Sequence, residues 1–177
     1  MNGGVKYLFM ATLFEKIYNE FLSKRNSIKK NYNRVLPFGD YFSERWEKAK
    51  YLGFGEGTSI YDNVIIIGDV KVGCNTWIGP NVVLDGSGGL VIGDNCSISA
   101  GVQIYTHDSI KWAISGGEMI YEYEKTIIES NCYIGPNVII SKGIIIRKGT
   151  IIGANSFVKC SFPEASKIAG NPAKLIE

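Results

Sequence analysis

One histidine, His107, stands in a chain of 177 residues. That count alone excludes mechanisms that need a cluster of imidazoles, including zinc sites built on two or three histidines. A lone neutral imidazole can still take and return one proton, because its pKa of about 6.5 lies close to neutral pH. The four cysteines, Cys74, Cys96, Cys132 and Cys160, form no CxxC and no paired spacing. They read as reduced thiols in a cytoplasmic protein. With a net charge of +2, the chain gives no argument for a nucleic-acid partner.

What positions His107 is a repeat. From Ile60 an aliphatic residue recurs every six positions: Ile60, Ile66, Val72, Ile78 and Leu84, then after a two-residue slip Ile92, Ile98 and Ile104. A third run takes in Ile128, Ile134, Ile140, Ile146, Ile152 and Val158. Four places after these stand small or branched residues such as Thr76, Val82, Cys96, Val102, Cys132 and Val138. Three places after them, Asn, Asp or Gly fills eleven of the fourteen slots, among them Asn75, Asn81, Asn95, Asn131, Asn137 and Asn155. Asn and Gly accept positive φ most cheaply, so each hexad predicts a short strand followed by a corner. Fourteen hexads, at three per turn, would make between four and five triangular coils.

The two phase breaks mark the irregular parts. Residues 85–90 hold Gly86, Ser87, Gly88 and Gly89, a bulge or turn beside the coil. Between Ile104 and Ile128 the repeat lapses, which predicts a loop of about eighteen residues, near 108–125, thrown out of the helix. His107 occupies a corner slot of the hexad that starts at Ile104, so it is expected to project outward at the mouth of that loop. A bland turn histidine would sit there too.

Ahead of the repeat, Met10, Leu13, Phe14, Ile17 and Phe21 follow helical spacing, predicting an amphipathic helix over residues 4–24. Residues 1–34 carry seven Lys or Arg against two Glu. The apolar face is expected to pack on the repeat domain, with membrane-surface association the lesser alternative. The apolar run of residues 7–14 is far shorter than the roughly 20 residues of a membrane span. Residues 40–52 predict a second short helix ending at Gly53. The expected division is 1–54, an N-terminal helical segment, and 55–177, the repeat domain.

The hexads of residues 55–177 resemble the hexapeptide-repeat family, whose chains wind into a left-handed parallel β-helix. The expected class is therefore all-β, with an extruded loop and an N-terminal helical segment. The layout of IGDNCSISAGVQIYTH, a loop, IIESNCYIGPNVII and a terminal GNPAK segment is similar to the acetyl-CoA-dependent saccharide O-acetyltransferases of the maltose and galactoside type. That resemblance implies a homotrimer with sites between subunits, acetyl-CoA as cosubstrate and His107 as general base. It differs in one respect: the best-known members place their histidine where this chain has Ser109. Asp85 matches an acidic residue that contacts the sugar from an adjacent subunit, and Asp108 could orient the imidazole or bind substrate. Trp112, Tyr121 and Tyr123 could stack on a sugar face. For the coenzyme the resemblance implies Ala154, Lys159 and Lys174, with Ser141 and Lys142 lesser candidates; the usual Thr-Lys pair reads Lys159-Cys160 here. No metal is implied. N-acetylation of a nucleotide-linked amino sugar is the nearest alternative, and a non-catalytic β-helix assembly module a more distant one.

Overall fold

The computed structural model describes residues 3–176, with side chains from residue 12 onward. They form two compact units that meet between Glu44 and Arg45. In the first, helix α1 spans Gly3–Tyr32, eight residues beyond its expected end. No Gly or Pro interrupts residues 25–32, and Lys29 and Lys30 in the last turn suit the negative end of the helix dipole. Asn33 then closes it at φ 52°. Phe21 packs against Phe38 and Tyr41, at ring separations of 5.1 and 5.3 Å. Leu13, Phe14 and Ile17 are exposed, and the side chain of Met10 lies outside the described residues. Among the described residues no helix is long and apolar enough to cross a membrane.

The second unit opens with α2, Arg45–Tyr51, so residues 45–54 group with the repeat and not with the N-terminal segment. Ala49 and Phe54 are buried in its core, and Lys48 donates to the carbonyls of Tyr61 and Asp62 at 3.2 and 2.6 Å. From there the chain winds as a left-handed parallel β-helix. On one face Ile60, Ile78, Ile98, Ile134, Ile152 and Ile168 stack in register. Ile66, Leu84, Ile104, Ile140 and Val158 stack on the second. Val72, Ile92, Ile128 and Ile146 complete the third. Six rungs on the first face exceed the four to five expected coils, because Ile168 follows Ile152 by sixteen residues and falls outside the six-residue phase.

Of the fourteen aliphatic positions, thirteen are buried and Ile66 is half-buried. The corners obey the turn chemistry: Asn75, Asn81, Asn95, Asn131, Asn137 and Asn155 hold φ between 53° and 64°. Hydroxyls in the small-residue column bridge coils, as where Thr76 Oγ1 donates to the Gly93 carbonyl at 2.9 Å and accepts from the Cys96 N–H at 3.1 Å. All four cysteines are free thiols, Cys96 and Cys132 buried and Cys74 and Cys160 exposed.

Both phase breaks are real. Along the paired strands Ile65–Val72 and Val83–Ile92, Gly68 faces Gly86 and Val70 faces Leu90, so two extra residues bulge out between Gly86 and Leu90. Gly88 in that bulge lies so close to the Thr106 carbonyl that a Cβ would stand 2.5 Å from its oxygen. The second excursion covers residues 107–124. Strands His107–Asp108 and Glu122–Tyr123 pair antiparallel as its stem, with α3, Ile110–Ile114, between them. The Glu124 N–H donates to the Thr106 carbonyl at 2.9 Å and closes it.

Candidate active site

His107 is not a corner residue. The hexad that begins at Ile104 bends at Thr106 and leaves the coil as the stem, and His107 is the first stem residue, paired with Tyr123 and outside the positive-φ set. Its side chain is 29% exposed. Nδ1 lies 2.6 Å from Oδ2 of Asp85, contributed by the strand one coil earlier.

Asp85, expected to contact a sugar from an adjacent subunit, is fully buried beside His107 of its own chain. It follows the inward Leu84, and the bulge beyond it and the root of the stem cover its carboxylate. Oδ1 accepts the Ser87 N–H at 3.0 Å and the Ser87 hydroxyl at 2.6 Å. Oδ2 accepts the Thr106 N–H at 2.9 Å and the Thr106 hydroxyl at 3.3 Å, besides its contact with His107. Burial pushes the carboxyl pKa up, but the hydrogen bonds from Ser87, Thr106 and His107 outweigh it and hold the group at about 2. An ionised carboxylate accepts only, so Nδ1 carries the proton in this contact. The basic nitrogen of the neutral ring is then Nε2, on the edge turned away from Asp85. The arrangement can draw a proton from a bound nucleophile and stabilise the resulting imidazolium.

Aromatic rings flank the imidazole. Tyr123 stacks on it at 5.7 Å and 24°, and Tyr121 at 6.2 Å and 11°. Trp112 on α3 meets Tyr121 edge-on at 5.6 Å. With Met119 and Ile120 these residues wall an open cleft on the excursion. Asp108 turns instead to the Ile110 N–H, which its Oδ1 accepts at 3.0 Å, and to Lys142, 3.4 Å from its Oδ2. Among the described contacts the carboxylate at the imidazole is that of Asp85, not Asp108.

The implied coenzyme residues lie farther along the helix. Ser141 and Lys159 follow Ile140 and Val158, which stack under Ile104, so both share the corner from which His107 departs, one and two coils on. The Ser141 N–H is spent on the Val158 carbonyl at 3.0 Å. Ala154 is exposed at a different corner, and Lys174 is exposed on the final strand, opposite Ala169. In one chain these four residues therefore divide between two corners. Ser87 and Thr106, which fix Asp85, were not among the candidate site residues of the sequence; the signal was a hydroxyl residue at each phase break.

Residues 125–160 match the family described as bacterial transferase hexapeptide (six repeats), and residues 64–106 match the hexapeptide repeat of succinyl-transferase. Solved structures similar to this one include AntD, an N-acyltransferase from Bacillus cereus, in complex with dTDP and 3-hydroxybutyryl-CoA. It is 26% identical over 70% of each chain, with a TM-score of 0.63. The D94A mutant of the same enzyme, in complex with dTDP and coenzyme A, is 26% identical over 70% of this chain and 71% of its own, also at 0.63. The fold is shared with the hexapeptide-repeat containing acetyltransferase VCA0836 of Vibrio cholerae, complexed with acetyl coenzyme A. That match is 24% identical over 92% of this chain and 88% of the other, with a TM-score of 0.67. The repeat that the core columns and Asn corners express is thus the hexapeptide repeat that both transferase models describe, and these matches support an acyltransferase.

Proposed function

We propose that this acyltransferase moves an acetyl group from acetyl-CoA directly to a hydroxyl of a saccharide or sugar-containing precursor, with His107 as general base. The observation that carries the reading is the 2.6 Å contact between His107 Nδ1 and the buried Asp85. A sugar hydroxyl is a poor nucleophile until its proton leaves. Nε2 takes that proton as the oxygen attacks the thioester carbonyl, and Asp85 stabilises the imidazolium that forms. When the tetrahedral intermediate collapses, the carbon–sulfur bond breaks and the imidazolium returns its proton to the departing thiolate. No covalent intermediate on the enzyme is needed. Trp112, Tyr121 and Tyr123 supply flat apolar faces beside the base, suited to a sugar ring.

For the coenzyme, Ser141 and Lys159 at one corner and Ala154 and Lys174 at another serve one ligand if two copies pack with these corners facing. A homotrimer supplies such grooves, and sedimentation equilibrium tests it: a mass of three chains supports the shared groove, and a monomer with full activity removes it. The resemblance to AntD favours a second reading, in which the acceptor is the amino group of a nucleotide-linked sugar. The same base would then take the proton of the attacking amine. Purified protein with acetyl-CoA and matched hydroxyl and amino sugars, free and nucleotide-linked, separates the two by thiol release and by product mass. Thiol release with neither acceptor class, in a folded protein, would sink both.

A further inference from the structure

The stem that carries His107 is two residue pairs long, too short to hold itself in water. Its charges work against it as well. Asp108 and Glu122 face each other directly across the pair, and like charges in that position repel. Glu124, at the end of the same excursion, adds a third carboxylate. Yet the stem is formed, and Lys142 is where the three acids meet. Its Nζ lies 2.9 Å from Glu124 Oε1, 3.1 Å from Glu122 Oε2 and 3.4 Å from Asp108 Oδ2. The side chain is 13% exposed.

Lys142 does not belong to the excursion. It follows Ile140 and Ser141 in the next coil, where the Ser141 N–H is bound into the ladder at 3.0 Å from the Val158 carbonyl. Its neighbour Gly143, at φ 74°, leaves open the space that the Glu124 carboxylate fills. One ammonium on a fixed coil thus binds both strands of the stem. Lys111 on α3 also pairs with Glu122, but α3 is part of the excursion and moves with it. The carboxylates, Glu124 foremost, hold Lys142 firmly protonated. With three acids in place, that ammonium is committed and is no free contact for a coenzyme phosphate.

We infer that Lys142 is a positioning residue: it neutralises Asp108, Glu122 and Glu124 together and so holds the stem in the register that sets His107 against Asp85. Its effect on turnover rests on the reading of His107 as the base, whereas its effect on the imidazole does not. The same register holds Tyr123 opposite His107, so loss of Lys142 releases the ring from both its acid and its stacking partner. A shift of about 1 Å in a catalytic group costs up to about a hundredfold in rate.

The single histidine makes the test direct, because every imidazole C–H signal in a proton spectrum comes from His107. In the wild type these signals should be displaced from those of free histidine by the rings of Tyr121 and Tyr123. Lys142→Met should move them toward free histidine and lower kcat about ten- to hundredfold, with KM for acetyl-CoA within about twofold. Lys142→Arg, which keeps the charge, should retain both signal and rate. Adding Glu122→Gln and Glu124→Gln to Lys142→Met should recover most of both, since the repulsion is then gone. Wild-type signals and rate in a folded Lys142→Met protein would overturn the inference, as would a folded triple variant that recovers neither. Should Lys142→Met alone fail to fold, the triple variant decides by the same signals. If the signals move and recover as expected while acyl transfer stays constant, Lys142 keeps its role and His107 loses the part of base.

Discussion

Asp85→Asn keeps the shape of the buried side chain and removes its charge, and the surrounding donors dictate how the amide must lie. With its NH₂ at the Oδ2 position, the amide would face the fixed Thr106 N–H and the Nδ1–H of His107. At the Oδ1 position it would face one fixed donor, the Ser87 N–H, because the Ser87 hydroxyl can rotate to accept. The amide oxygen therefore stays toward His107, and Nδ1 keeps its proton. What disappears is the negative charge beside the imidazolium. A charge-assisted hydrogen bond exceeds a neutral one by about 1–2 kcal/mol, so kcat should fall about five- to thirtyfold. Asp85→Ala, which also frees the tautomer, should cost about 10²–10³-fold.

Stability supplies the second half of the same experiment. The Ser87 N–H left facing an NH₂ group costs about 1–3 kcal/mol at neutral pH. In the wild type the Asp85 pKa is depressed from 3.8 to about 2. Its contribution is therefore present above pH about 4 and is lost as pH falls toward 2; the shift is worth roughly 2 kcal/mol. Denaturant unfolding of both proteins should show a gap that is constant at neutral pH and closes by about that amount between pH 4 and pH 2. Thiol release at saturating acetyl-CoA gives the rates. A folded Asp85→Asn protein with wild-type kcat, or a stability gap indifferent to acid, would refute the picture of an ionised acid holding His107.

Three further outcomes follow from the geometry. His107→Ala should lower kcat by about two to four orders of magnitude while calorimetry still shows coenzyme A binding; because His107 lies in a strand, alanine introduces no backbone strain there. Ile140→Ala, at a position with no exposed surface, should cost about 2–5 kcal/mol in denaturant unfolding, and a loss under about 1 kcal/mol would contradict a close-packed column. Lys174→Ala should weaken coenzyme A binding several-fold and flatten its salt dependence, as loss of one phosphate contact would; an unchanged titration moves that contact elsewhere.

The core was legible in the sequence because its grammar is local. An inward Ile and a corner Asn three places on are both fixed by the backbone of one hexad, and the Asn corners adopt the positive φ that their residue type announced. His107 broke that rule, since whether a hexad turns or runs on into a stem depends on residues 122–124, which close it from the far side. The burial of Asp85 was not legible for a related reason. The slot after the inward aliphatic is half-buried or exposed at Tyr61, Ile67, Tyr105, Ser141 and Lys159, so an aspartate there reads as a surface acid. Its burial comes from the bulge and from a stem that leaves the next coil. Helix α1 overran its expected end because nothing within residues 25–32 stops it, and the last rung, at Ile168, was hidden by its sixteen-residue return.

A perfect hexapeptide prism offers two environments, an apolar interior and a solvated corner, and neither can host a buried acid bonded to a half-exposed base. The two phase breaks create the third environment together. The bulge lifts residues 87–89 out of the coil, and the stem departs from the coil directly below, so that the Gly88 N–H donates to Thr106 Oγ1 at 2.8 Å and Thr106 in turn donates to Asp85. Each interruption supplies one member of the pair and part of the cover over the other. That explains why the glycines cluster at the bulge, where a Cβ at Gly88 would meet the Thr106 backbone. It also explains why the stem needs an anchor in the following coil. The repeat gives rigidity along its whole length, and the chemistry arises where two successive coils depart from it in register.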